Sequence, residues 1–260
     1  MYSELQINTA ARNSKTYLQH CYFTRPFKVA DISGQHTAEL HLTLMSASPG
    51  ILDGDEYDMK VNVAAGTSLH LYTQSYQRIF QMKSGAKQLF SVHLGAGSSF
   101  FYLPHPSVPH ENAVFTAVNK IQMDKGSRLL WGEIITCGRK LSGEVFRCRH
   151  FQSTTEVRYE GKLVFKDVIL LEPAQIPAGE IGQWEEYTHQ GSLYWQDLSV
   201  DAEEMAAEVY DLLSAEPGTR SGVSKTAAGA ILVRVLGQGG EQLYQLFKKI
   251  ALLAGEERRL

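Results

Sequence analysis

Several residues in this chain are of the types and spacings that handle metal ions. His105 and His110 bracket the segment His105-Pro106-Ser107-Val108-Pro109-His110, whose prolines stiffen the backbone and could hold two imidazoles at a fixed separation. Cys148 and His150 lie two residues apart, which on a strand places both on one face. Each is only a pair, and a closed metal site needs four ligands, so these donors suit a weak or passing contact better than a resident ion. Glu133 and Asp167 are the other candidates, because each lies inside a largely apolar run, at 129–135 and at 163–169, the second of which also holds Lys166. A buried acid is costly unless it is paired or solvated. Alternation alone leaves both free to face solvent; facing inward, they would line a hydrated passage in which carboxylates handle a divalent cation.

Other chemistries lack their residues. Gly222-Val223-Ser224-Lys225-Thr226 has the end of a phosphate loop but no glycine before Lys225, and reads as a solvated loop. Gly237-Gln238-Gly239-Gly240 sits where a dinucleotide fingerprint would lie, yet too little chain follows for a βαβ unit, so it reads as a tight turn. There is no Gly-x-Ser-x-Gly elbow. The three cysteines, Cys21, Cys137 and Cys148, form no CxxC, which leaves no basis for a disulfide framework and fits a reducing compartment.

The elements that must position these residues are mostly strands. Between residues 38 and 171 apolar side chains recur at period two: Leu40, Leu42 and Leu44 alternate with Glu39, His41 and Thr43, and Met59, Val61 and Val63 with Lys60 and Asn62. Turn signals such as Pro49-Gly50, Asp53-Gly54, Ser84-Gly85, Lys125-Gly126 and Glu160-Gly161 punctuate the runs. No apolar 3.6 period persists there over three turns, which disfavours a doubly wound sheet. The expectation is a mainly β protein, with stacked sheets or a solenoid-like β body that covers its own edges. The last quarter changes period. Asp201 caps a predicted helix near 201–215, and a second, near 240–254, carries Leu243, Leu246, Phe247 and Ile250 on one stripe. Between them, 218–229 reads as a Gly/Ser/Thr-rich connection leading to a short strand over 230–236. The charged tail 256–260 is expected to be mobile.

The 260 residues are 43% hydrophobic and 20% charged, enough for a real core, and no linker divides residues 1–260 into separate domains. Lys+Arg 25 against Asp+Glu 28 gives a net charge of -3, which argues against a nucleic-acid partner held by phosphate neutralisation. The N-terminus has no apolar h-region, and the longest later apolar stretch, 227–233, falls far short of the ~20 residues that span a bilayer. These features predict a soluble, cytoplasmic protein with no membrane partner.

Four blocks carry a family resemblance. Ser48-Pro49-Gly50-Ile51-Leu52-Asp53-Gly54-Asp55 is followed by Tyr72-Thr73-Gln74-Ser75 leading to Arg78, then by Phe101-Tyr102-Leu103-Pro104-His105-Pro106-Ser107-Val108-Pro109. The fourth is Gly138-Arg139 with Ser142-Gly143-Glu144-Val145-Phe146. In this order they resemble the urease accessory protein family UreD, called UreH in some bacteria, from about Phe23 to the C-terminal helix. Two positions depart from its pattern: Ile51 follows Gly50 where the family often has a second glycine, and Arg78 stands where a lysine is common. The resemblance implies a maturation factor that is not an enzyme. It joins the helical protein UreF and the GTPase UreG and presents nickel to apo-urease, with no permanently bound cofactor and transient nickel(II) in an internal tunnel. It also implies that Asp55 is the acidic residue of the Gly-Asp turn and that Glu133 and Asp167 face inward. Two alternatives stand beside it: a β-sandwich metal enzyme using His105, His110 and Glu133 on a small polar substrate, and a structural adaptor that never meets nickel.

Overall fold

An alternating strand can bury only one face in a shared core, and this chain meets that constraint by sending successive strands to opposite sheets. The computed structural model describes residues 1–34 and 38–255; the tail 256–260 lies outside them. The chain opens with β1 (Tyr2–Arg12), β2 (Lys15–Phe23) and β3 (Phe27–Asp31). Then β4 (Leu40–Ser46), β6 (Ser68–Thr73), β9 (Ser99–Leu103) and β12 (Arg128–Thr136) pair in parallel in one sheet. The strands between them in sequence, β5 (Glu56–Val63), β8 (Ala86–Leu94), β11 (Val114–Met123) and β13 (His150–Tyr159), pair in parallel in the other. The result is a flattened solenoid, both stacked and coiled.

Antiparallel strands finish the edges. β1 joins β5 in parallel and carries β2 antiparallel at one edge, and β14 (Lys162–Leu171) closes the far side of that seven-stranded sheet antiparallel to β13. The other sheet gains β3 at one end and β15 (His189–Gln196), β17 (Ile231–Gly237) and β16 (Arg220–Lys225) at the other. Short β7 (Gln77–Ile79) and β10 (Ser107–Pro109) pair with each other, and β10 with β12. The segment 218–229 was expected to be a connection, but it holds β16. Its Gly and Ser residues have weak strand propensity, and pairing along the whole of β17 overrides it.

The inter-sheet core is built from the inward parity of each strand, including Leu5, Val61, Phe90, Phe100, Tyr102 and Trp131. The second sheet is buried on its outer face too. There α1 (Ala202–Ser214) and α2 (Gly240–Leu253) lay Val209, Leu213, Leu243 and Phe247 against Leu130, Leu193 and Val233. This explains why β9 is buried throughout instead of alternating. Asp201 caps α1 by accepting from the Glu203 amide at 2.7 Å, and two acids in its first turn complement the helix dipole. Among the described residues, no helix is long and apolar enough to cross a membrane.

Candidate functional site

Glu133 sits in the middle of β12 on the face that looks into the inter-sheet space. It is half-buried and lines a cavity of about 160 Å³, room for several waters. Its carboxylate is ringed by donors. Thr155 Oγ1 donates to Oε2 at 2.6 Å, Trp131 Nε1 to Oε2 at 3.2 Å, Asn119 Nδ2 to Oε1 at 3.3 Å, and Ser153 Oγ to Oε1. Enclosure raises the Glu133 carboxyl above its ordinary value, and the nearby Asp167 carboxylate pushes the same way, outweighing hydrogen bonds that favour the charged form. Three of the four donor groups can also offer oxygen. The Ser153 and Thr155 hydroxyls can rotate and the Asn119 amide can present Oδ1, so a cation entering here would meet one carboxylate and neutral oxygens.

The outer end of the cavity is made by three of the motif blocks. Pro49, Gly50, Thr73, Gln74, Arg78, Pro104 and His105 all line it, and Pro49, Gln74 and Arg78 are exposed there. Their own contacts lock the blocks together. The Ile51 amide donates to the Arg78 carbonyl at 2.8 Å, and a Cβ at Gly50 would lie 2.3 Å from that carbonyl, so only glycine allows the approach. Thr73 Oγ1 accepts from the His105 amide at 2.8 Å and meets the ring Nδ1 at 3.1 Å, while the ring stacks on Tyr244 of α2 at 4.3 Å. Burial lowers the His105 imidazole, favouring its neutral form.

The remaining predicted residues lie elsewhere. Asp55 is buried and holds the chain start: it accepts from the Leu52 amide at 2.8 Å and the Tyr57 hydroxyl at 3.3 Å, and pairs with the Met1 ammonium at 3.2 Å. That ammonium also donates to the Gly54 carbonyl at 2.8 Å. Asp55 does not line the Glu133 cavity. Asp55→Ala strands the Leu52 N–H and the Tyr57 hydroxyl, and is expected to cost about 1–3 kcal/mol of stability, read as a lowered urea midpoint. Asp167 faces inward from β14, pairs with Arg234 of β17, and accepts weakly from Ser192 at 3.5 Å. His110 packs edge-on against Phe80 and lines a separate depression with Arg78 and Arg139; burial first, and the Arg139 charge second, lower its imidazole. Pro109 pairs with Ile79 across β10 and β7. Gly138 donates its amide to Thr136, and Arg139 grips Glu144 through two guanidinium nitrogens, tying off the fourth block.

Cys148 and His150 do not combine. Burial pushes the Cys148 thiol up to about 12, and His150 Nδ1 is taken by Glu172 at 2.7 Å. Asn119, Ser153 and Thr155 escaped sequence reading. The signal was present: they occupy the inward parity of β11 and β13, among Ala117, Ile121, Phe151 and Val157.

The chain matches known proteins along nearly its whole length. The family model described as UreD urease accessory protein matches residues 2–259. A urease accessory protein UreD from Flavobacterium johnsoniae is 45% identical over 252 residues, covering 96% of this chain and 91% of that one. A protein of the same name from Actinobacillus pleuropneumoniae is 35% identical over 259 residues, 96% of each. One from Acetivibrio thermocellus is 34% identical over 250 residues, 95% of each. With the match running almost end to end, this chain belongs to the UreD family of urease accessory proteins.

Proposed function

We propose that the chain is a non-enzymatic scaffold in urease maturation. It joins UreF and UreG and lets nickel(II) pass to apo-urease through the cavity that ends on Glu133. The observation that carries this reading is the convergence of three motif blocks on one cavity, roomy enough for water, with a single enclosed carboxylate among the described residues at its inner end. Nickel binds best to imidazole nitrogen, so an all-oxygen surround holds it loosely and releases it, as transit requires. Asp167 and Arg234 stand beside this route as a paired, already neutralised couple, and Asp55 supports it from the chain start. The metal-enzyme alternative needs His105, His110 and Glu133 around one ion. Among the described residues, the one cluster of His, Cys, Asp and Glu able to share an ion contains none of the three.

Co-expression with UreF, UreG and apo-urease, followed by affinity capture and sizing, tests the scaffold. UreF and UreG are expected to elute with the chain as one complex. Recovery of neither would remove the scaffold reading, and an assembled complex that loads nickel normally with Glu133 neutralised would leave only the adaptor.

A further inference from the structure

The cluster able to share an ion lies on the other side of the helix-covered sheet. His41 of β4 and His70 of β6 are register partners on adjacent parallel strands, and His70 is in turn opposite Phe101 of β9. All three rings therefore stack in a column, 4.3 Å from His41 to His70 and 4.4 Å from His70 to Phe101. Both imidazoles are buried, at 2% and 0% exposure. Glu39 precedes β4 and turns its carboxylate over their edges, with Oε2 3.1 Å from His70 Nε2 and 3.7 Å from His41 Nε2. Its side chain keeps 28% of its surface, so the cluster is reachable from solvent on that side.

One ring nitrogen in this arrangement has only a long ion-pair contact. His41 Nδ1 meets the Tyr72 hydroxyl at 3.1 Å, which fixes the ring, yet among the described residues the buried His41 Nε2 finds nothing nearer than its 3.7 Å approach to Glu39 and makes no hydrogen bond. A buried polar atom held this loosely is costly, and this one lies beside a second imidazole and a carboxylate, donor types that hold a transition-metal ion. The candidate ligand atoms all lie within 4.8 Å of one another. Ligands about 2.0–2.2 Å from a common ion sit roughly 3–3.5 Å apart, so closure needs only small side-chain movements.

We propose that Glu39, His41 and His70 form a binding site for a borderline divalent transition-metal ion, nickel(II) or zinc(II), separate from the Glu133 cavity. Two imidazoles and one carboxylate select such ions over magnesium or calcium, which prefer oxygen alone. Three protein ligands leave further positions for water or an incoming donor, so the ion can be exchanged from the Glu39 side. The histidine donors also make this the tighter of the two sites.

Titration of the purified full-length chain with nickel(II), and with cobalt(II) as a spectroscopic probe, tests the assignment. Saturable binding is expected, with cobalt absorption bands showing nitrogen ligation, and magnesium should give none. Glu39→Gln touches a partly exposed side chain and should weaken nickel binding about tenfold or more, since even the outer partners of metal ligands are worth that much. His41→Gln with His70→Gln should abolish it; if that double variant fails to fold, Glu39→Gln decides alone. Glu133→Gln removes only the looser oxygen site, so the tight step of the titration should persist in it. The proposal is overturned if the wild-type chain takes up neither ion, if Glu39→Gln binds as the wild type does, or if the loss appears with Glu133→Gln instead.

Discussion

Phe247→Ala is expected to destabilise the chain by about 3–5 kcal/mol, the cost of removing a fully buried aromatic ring where the surroundings cannot collapse. The site cannot collapse because its floor is backbone. Phe247 drops from α2 onto Gly191 of β15 and Gly132 of β12, where a Cβ would lie 2.7 Å and 3.5 Å from its ring. The two glycines are the socket, and filling it from below with Gly191→Val should undock the helix by overpacking, at about 1–3 kcal/mol. Urea unfolding reads both as a lower midpoint with the slope retained. A loss under about 1 kcal/mol for Phe247→Ala would mean that α2 is not seated by this contact. The consequence extends to the cavity. The start of α2 abuts Tyr76 and Pro106, and its Tyr244 stacks on His105, so a loosened α2 also loosens the cavity's outer wall.

That dependence of a cavity wall on a distant helix contact could not be read from the sequence, and the reason is general. Period two tells which residues share a face but not which strand lies beside which. The alternation of Met59, Val61 and Val63 was therefore legible, while a choice between stacked sheets and a coil was not; strands that switch sheets at every turn are both. The helices were legible because Asp201 and the apolar stripes act locally. His41 was misread. As the polar partner of Leu40 and Leu42 it should face water, but the outer face of its sheet is itself packed, and His41, His70 and Phe101 bury one another. Glu133 stood out because an acid in an apolar strand must be accounted for. Its neighbours Asn119, Ser153 and Thr155 come from two other strands, and only the sheet register, Asn119 opposite Thr155 and Ala117 opposite Ser153, gathers them.

Glu133→Gln carries the largest functional effect expected of the proposed route. It keeps the side chain's size and leaves the surface that partners see unaltered, so complexes should assemble while nickel in the urease falls roughly tenfold or more. The same substitution should change two pH profiles. The enclosed carboxyl titrates above its ordinary value and must lose its proton to meet a cation, so wild-type nickel transfer should decline on acidification sooner than an ordinary carboxylate would allow. Stability moves oppositely. The folded chain binds this proton more tightly than the unfolded one, so Glu133 costs nothing below its unfolded value, and stability is lost as pH rises from there through the raised folded value. With glutamine, both dependences should flatten, measured as nickel content of purified urease and as urea midpoints across the same pH series. A flat stability profile in the wild type would show that the carboxylate is better hydrated than its enclosure suggests. Undiminished nickel in the variant's urease would take the ion's path away from Glu133, because no other carboxylate among the described residues lines this cavity.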